Sequence, residues 1–355
     1  MKAVERMALS ALRRIDPETA HRTAIRALGA GLVPPRPAPP ESLKTTFLGI
    51  DLPSPVGVAA GFDKNAEAPD AMLSQGFGFI EIGAVTPRPQ TGNARPRLFR
   101  LAEDRAAINR FGFNNDGVDA IAARLRARRA GPGRIWANIG ANKDSDDRIA
   151  DYVTVMRRLH GLVGAMTLNV SSPNTEKLRD LQGAEALKSL LRRAVEERDR
   201  LGAVGARTPL LLKIAPDLTP DEIDEIGEIA LASRIDGIIA TNTTLSRDSL
   251  KSRHAGETGG LSGRPLKAMS LEVLRRLRRA TGGELPLIGV GGIETAADAY
   301  ARIRAGASLI QLYTAMVYEG PGLGQAINEG LAQLLARDGF ARPADAVGAP
   351  GLVRP

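Results

Sequence analysis

Apolar residues at the start of the chain recur at helical spacing: Val4, Met7, Ala8, Ala11, Leu12 and Ile15 share one face of a first helix. Asp16-Pro17 follows, a helix-capping residue and then a proline suited to the first helical position. A second helix is therefore expected to run to about Ala30, with Ala24, Ile25, Leu28 and Leu32 on one side. Pro34-Pro35-Arg36-Pro37-Ala38-Pro39-Pro40 cannot continue a helix and reads as a stiff linker. Residues 1–40 thus read as a helical hairpin attached to a main domain.

From Phe47 onward the period changes. Short apolar runs at 56–60, 79–83, 135–139, 166–170, 210–214, 237–241, 287–290 and 309–313 have the length of strands. Amphipathic stretches at 146–159, 184–199, 220–232 and 296–305 lie between them. Eight such alternations in roughly 300 residues predict an α/β fold, a closed (β/α)₈ TIM barrel over 41–340. A doubly wound open sheet is the runner-up, weakened because no G-x-G-x-x-G follows the first strand. Residues 341–355, rich in Ala, Gly and Pro, read as a flexible tail.

Composition narrows the chemistry. With 355 residues and 43% apolar content the chain can bury a large core. It has no cysteine, which removes disulfides, thiolate nucleophiles, iron–sulfur clusters and Cys-type zinc sites. Aromatics at 4% argue against a base-stacking nucleic-acid surface. The net charge of +8 is spread along the chain without a long basic block. With no secretory h-region and no apolar run near 18 residues, the chain is expected to be cytosolic or to lie on a membrane without crossing it.

In a barrel of this kind, chemistry sits at the C-terminal ends of the strands, and the informative residues cluster there. The first strand ends in Ala59-Ala60-Gly61-Phe62-Asp63-Lys64-Asn65, small residues that admit a flat ligand, plus a cation. The third ends at Asn138, the fourth in Asn169-Val170-Ser171-Ser172-Pro173-Asn174-Thr175, the sixth in Thr241-Asn242-Thr243-Thr244. Each amide offers a donor and an acceptor, which suits a planar ligand with carbonyls, ring N–H groups and a carboxylate. Asn and Ser are also ordinary turn formers, but three such clusters in register with strand ends exceed that account. Lys213 ends the fifth strand; it could form a Schiff base, as in an aldolase, or stabilise an anion such as a reduced flavin ring. Gly289-Val290-Gly291-Gly292-Ile293 and Tyr313-Thr314 follow the seventh and eighth strands, where barrels often bind phosphate. Asn109-Arg110-Phe111-Gly112-Phe113-Asn114-Asn115 adds amides and an arginine in a long loop after the second. His21, His160 and His254 have no metal-site spacing; His160 reads as lying near a helix end and His254 as part of a solvated or lid loop.

These segments, with Gly259-Gly260-Leu261-Ser262-Gly263-Arg264-Pro265, resemble the dihydroorotate dehydrogenases, in order and spacing, from about residue 16 to 335. Within that family, soluble class 1 members use a catalytic cysteine, whereas the class 2 pattern places serine in the Asn-x-Ser-Ser-Pro-Asn-Thr motif, here Ser172. Class 2 members also carry an N-terminal helical hairpin opening a tunnel from the membrane to the flavin, matched by residues 1–40 including Asp16-Pro17-Glu18-Thr19-Ala20-His21.

The resemblance implies oxidation of (S)-dihydroorotate to orotate, with FMN taking the hydride and a quinone as final acceptor, in pyrimidine biosynthesis. Ser172 would take the C5 proton and pass it on, through water and a threonine, since serine is a poor base at neutral pH. FMN would be held by Ala60, Gly61, Lys64, Thr86, Asn138, Asn169, Lys213, Thr241, Gly263, Gly292, Tyr313 and Thr314. Orotate would be held by Lys64, Asn109, Arg110, Phe111, Gly112, Phe113, Asn169, Asn174, Asn242 and Thr243. His21 and Arg100 match residues of the quinone tunnel, and no metal is implied. In residues 1–40, seven cations (Lys2, Arg6, Arg13, Arg14, Arg22, Arg26, Arg36) face three acids (Glu5, Asp16, Glu18), a net of 7 − 3 = +4. Near an anionic bilayer each cation contributes about 1 kcal/mol, which together with an apolar helix face implies peripheral binding on the cytoplasmic face of the cell membrane. The alternative for this hairpin is a cap packed on the barrel bottom. Rival readings of the whole chain are a Lys213 aldolase, a basic nucleic-acid-binding module, and the cysteine-using tRNA dihydrouridine synthases.

Overall fold

The computed structural model describes residues 3–174 and 178–350, with side chains from residue 5 onward. Lys2, the Val4 side chain, Thr175 and the end of the tail, 351–355, lie outside the described residues. Eight parallel strands close into a barrel: β1 (Val56–Val58), β2 (Phe79–Val85), β3 (Ile135–Ile139), β4 (Ala165–Asn169), β5 (Leu210–Ile214), β6 (Gly237–Ala240), β7 (Leu287–Val290) and β8 (Ala307–Leu312). They stand in chain order around the ring, each followed by a helix on the outside, which makes the fold a (β/α)₈ barrel.

Alternation along each strand sorts side chains between two cores. Ile80, Ile82, Ala137, Met166, Leu168 and Leu212 point outward into the layer shared with the helices. Phe79, Trp136, Ala165, Leu211, Ile239, Ile288 and Leu309 point inward and fill the lower barrel. The Trp136 ring stacks between Phe79, at 4.2 Å, and Phe47, at 5.6 Å. Phe47 and Leu52 come from a short hairpin, Thr45–Phe47 with Ile50–Leu52, which plugs the barrel bottom.

One pleat higher the interior turns polar. Glu81, Asn138, Thr167, Lys213 and Gln311 are all buried at that level, above the apolar plug. Above them lies the open mouth. Three antiparallel strands, Leu98–Leu101, Ala106–Asn109 and Gly260–Gly263, form a separate sheet roofing part of it.

The hairpin is helical as expected: α1 spans Ala3–Leu12 and α2 Pro17–Gly29. Asp16 caps α2 by accepting from the Thr19 amide at 2.8 Å, and Pro17 takes the first helical position. The hairpin covers the barrel mouth rather than its bottom, where the strand hairpin already sits. Glu18 anchors it through buried Arg97, Nη2 to Oε1 at 2.8 Å, and through Arg95. Burial opposes the charge on Glu18, but these two guanidinium groups outweigh it and hold its carboxyl below the ordinary range. The proline-rich linker is fastened by Arg36, whose amide donates to Ser74 and whose side chain pairs with Glu5. The segment expected to be a loose tail is packed as far as residue 350. Pro343–Ala346 is helical, Ala346 is buried, and Arg304 bonds the carbonyls of Ala349 and Pro350.

Candidate active site

A cavity of about 520 Å³ opens above the polar layer and runs outward between the barrel mouth and the two N-terminal helices. Its floor is set by strand ends. The parallel register puts Asn169 of β4 beside Lys213 of β5, and Asn138 of β3 beside Thr167 of β4.

The floor amides form a directed relay. Thr243 N–H donates to Asn242 Oδ1 at 2.8 Å, which turns the Asn242 Nδ2 toward Asn169 Oδ1 at 3.2 Å and Ser171 Oγ at 3.0 Å. Asn169 Nδ2 donates in turn to Asn138 Oδ1 at 2.8 Å, and Asn138 Nδ2 to Glu81 Oε1 at 2.7 Å. A backbone donor at one end and a carboxylate at the other fix which edge each amide shows to the cavity. Tyr152 supports the relay by donating to the Asn169 carbonyl at 2.7 Å.

Ser172, 6% exposed, lines the same cavity. The Asn174 amide donates to its Oγ at 3.3 Å, and a donor there favours developing negative charge on that oxygen. No imidazole or carboxylate bonds Ser172 Oγ among the described residues. Asn174 reaches across to the roof, its Nδ2 donating to Asn109 Oδ1 at 3.3 Å. Its Oδ1 is buried without a protein partner among the described residues, an acceptor open to a ligand N–H.

Lys64 closes one side. Its ammonium donates to the Gly61 carbonyl at 3.1 Å and sits 3.9 Å over the Phe111 ring. Burial is the largest influence on it and lowers its value from 10.5 to about 8. Asp63 beside it is buried and pushed up by that burial, although the amides of Glu67 and Ala68 bond its oxygens.

The glycine loops after β6 and β7 provide close backbone approach. Gly292 has φ +67°, and an added Cβ there would lie 2.6 Å from Lys267 Cα. Gly263, Tyr313 and Thr314 border the same end of the cavity. Amides and an ammonium at the floor, with a glycine-lined loop at one end, form a donor set that fits a flavin ring and a phosphate.

Most residues expected at the site converge on this cavity: Ser172, Lys213, Asn138, Asn169, Asn242, Thr243 and the flavin-loop glycines, with Ala60, Gly61, Phe111, Gly112, Phe113 and Thr241. Two do not. Thr86 is buried behind the wall, its hydroxyl donating to the Arg88 carbonyl at 2.7 Å. Arg110 turns to the roof loop and pairs with Glu257 at 2.8 Å. His160 caps a helix C-terminus, and His254 packs 5.5 Å from the Phe99 ring.

Sequence reasoning passed over Arg179. Its guanidinium bonds the carbonyls of Ser171 and Thr243 and the carboxylate of Asp217, tying together the loops after β4, β5 and β6. It also passed over Glu81 and Gln311. The available signal was a single polar residue at an inward position of an otherwise apolar strand.

The outer arm of the cavity is apolar, walled by Ala8, Leu9, Leu12, Ala20, Ala24 and Leu28 of the two helices. His21 stands where this arm meets the floor, its Nδ1 3.3 Å from the Tyr313 hydroxyl and its ring edge-on to Phe62 at 5.6 Å. Burial, reinforced by the nearby Lys64 charge, lowers His21 from 6.5 to about 3, so the imidazole is neutral. Burial pushes the Tyr313 phenol up. Arg100 holds the turn between the helices by donating to the carbonyls of Arg13 and Ile15.

Known proteins carry the same framework. The dihydroorotate dehydrogenase family profile matches residues 42–335. A dihydroorotate dehydrogenase (quinone) of Cereibacter sphaeroides is 57% identical over 349 residues, covering 98% of both chains. One from Parvibaculum lavamentivorans is 56% identical over 337 residues, covering 94% of this chain and 95% of the relative. The crystal structure of the Eimeria tenella DHODH in complex with ferulenol superposes with a TM-score of 0.89 at 41% identity, covering 94% of this chain and 95% of the other.

Proposed function

The chain belongs to the dihydroorotate dehydrogenase family, and from that premise we propose that Ser172 is its proton acceptor in a cavity shaped for FMN. The reaction is oxidation of dihydroorotate to orotate with a quinone as final electron acceptor, a step of pyrimidine biosynthesis, catalysed by a flavin-dependent dehydrogenase. This assignment removes the aldolase reading of Lys213. The observation that carries the site reading is that Ser172, Lys64, Lys213 and the pinned amides all face one cavity.

FMN, when bound, supplies a hydride acceptor that can give up its electrons again. Gly263, Gly292, Tyr313 and Thr314, which line one end of the cavity, would hold its phosphate. Asn138, Asn169, Lys213 and Thr241 would hold its ring, and the Lys213 charge would favour the electron-rich state. Lys64 offers a cation to the orotate carboxylate, and Asn109, Asn174, Asn242 and Thr243 offer fixed donors and acceptors to its ring. Thr86 and Arg110 support these walls from outside. The Asn174 backbone N–H on Ser172 Oγ would favour departure of the hydroxyl's own proton to water as Oγ takes the carbon-bound one.

The outer arm suits a quinone. It is apolar and ends at two groups, His21 and Tyr313, that are neutral at physiological pH and offer hydrogen bonds without charge. The hairpin also has the features of a peripheral membrane contact. Met7 is 71%, Ile15 45% and Leu32 74% exposed. Arg6, Arg14, Arg22 and Arg26 are exposed without an ion pair among the described residues, while Glu5 and Glu18 are spent on Arg36, Arg95 and Arg97. An outward apolar stripe flanked by free cations matches an anionic bilayer surface. No helix among the described residues is long and apolar enough to cross a membrane.

Replacing Ser172 with Ala tests the assignment. The variant is expected to fold, keep its flavin and lose about 10²–10⁴-fold in flavin reduction by dihydroorotate, the range of a positioned base. Reduction at the unaltered rate would remove Ser172 from that role.

A further inference from the structure

Glu81 is a buried charge that the proposed reaction does not use. It sits on β2 in the polar layer, fully buried, directly above the ring of Phe79 in the inward-facing row. Asn138 Nδ2 and Gln311 Nε2 each donate to one of its oxygens, both at 2.7 Å. Its Oε2 also lies 4.0 Å from Lys213 Nζ. Lys213 is 5% exposed, and Glu81 is its ion-pair partner among the described residues.

A carboxylate has no place in a buried barrel layer unless something nearby requires it, because desolvating a charge is costly. Here two amide bonds and one ammonium meet that cost. The ammonium is the group placed to favour negative charge on the flavin ring. Its influence there is reduced by any counter-charge on its far side.

We propose that Glu81 is a positioning residue for Lys213: it holds the ammonium at the cavity floor and offsets part of its charge, and so sets how readily the bound flavin accepts electrons. The inference rests on the reading of the cavity as a flavin site. A flavin facing an uncompensated Lys213 would be easier to reduce and slower to hand electrons to a quinone. Glu81 therefore balances the two halves of the reaction.

The test is the midpoint potential of the flavin in the whole protein, measured by anaerobic equilibration against reference dyes. Glu81→Gln removes the charge and keeps the shape. Gln311 can turn its Oε1, which has no partner among the described residues, to accept from the new amide. The expected result is a more positive potential, shifting the equilibrium toward reduced flavin by about tenfold. Gln311→Leu removes one bond to Glu81 without touching the charge and should leave the potential near that of the parent. If Glu81→Gln retains no flavin, the double change Glu81→Met with Gln311→Met removes the carboxylate together with one of the two amides it would orphan, leaving Asn138 Nδ2 as the donor that loses its acceptor, and carries the same expected shift. A potential that ignores the loss of Glu81, or that Gln311→Leu moves equally, overturns the inference. A parent protein that binds no flavin overturns instead the reading on which it rests.

Discussion

Lys64 predicts how substrate affinity depends on pH. Burial lowers its ammonium from 10.5 to about 8, with Glu18 opposing part of that fall. Orotate carries a carboxylate, so the protonated form of Lys64 is the one that binds it. Near pH 7 most of the free enzyme is already in that form. Above pH 8 each unit of pH removes a further tenfold of binding-competent protein, about 1.4 kcal/mol per unit. Because the bound anion raises the lysine in the complex, binding at pH 9 must take up close to one proton. The expected dissociation constant for orotate is level from pH 6.5 to 7.5 and roughly tenfold weaker at pH 9. The change in flavin absorbance on titrating orotate measures it, and calorimetry in two buffers of different ionisation heat counts the proton. Lys64→Arg should flatten the profile, since a guanidinium stays charged throughout. A dissociation constant that is constant from pH 7 to 9.5 in the parent protein would refute the link between burial of Lys64 and carboxylate binding.

Three further outcomes follow from the same structure. His21 is held neutral, its value about 3 against 6.5 when unfolded, so the unfolded chain binds the extra proton between those values. Stability is fully present above pH 6.5 and falls as the pH drops, by up to about 1.4 kcal/mol per unit, and His21→Gln should blunt this loss in denaturant titrations at pH 5 against pH 7. Glu18→Gln leaves buried Arg97 with a neutral partner and should lower stability by about 2–4 kcal/mol, seen as an earlier midpoint in urea at unchanged slope. Met7→Asp with Ile15→Asp should weaken sedimentation with vesicles containing anionic lipid by about tenfold or more while leaving flavin reduction by dihydroorotate intact; unaltered sedimentation would move the membrane contact elsewhere.

The barrel was readable because its strands are short aliphatic runs bounded by turn residues, and each of the eight expected runs became a strand within about two residues of its place. The site was readable for a related reason, since strand ends in this fold converge and polar residues there need no long-range information to be placed together. The roof sheet was not readable. Its strands have four residues each, and although Leu98–Leu101 pairs locally with Ala106–Asn109, the third strand, Gly260–Gly263, joins from more than a hundred residues away. Periodicity gave α1 but not a single apolar face: of the residues expected to share one side, Met7 and Ile15, the latter beyond the helix end, are exposed, while Ala8 and Leu12 line the cavity. Arg110 lies within a recognisable motif and Thr86 just past the second barrel strand, yet a partner at Glu257 and the Arg88 carbonyl hold them away from the cavity. Glu81 was hidden because one charge in an apolar run leaves the period unchanged.

The most direct test of the account separates the two half-reactions in one anaerobic cuvette. Dihydroorotate is added to the purified protein and the flavin absorbance is followed, and then a soluble ubiquinone analogue is added. The account predicts bleaching in the first step and recovery in the second, with removal of residues 1–40 impairing the second far more than the first. Bleaching that only fumarate or NAD reverses, or a bound flavin that dihydroorotate does not bleach, would contradict it.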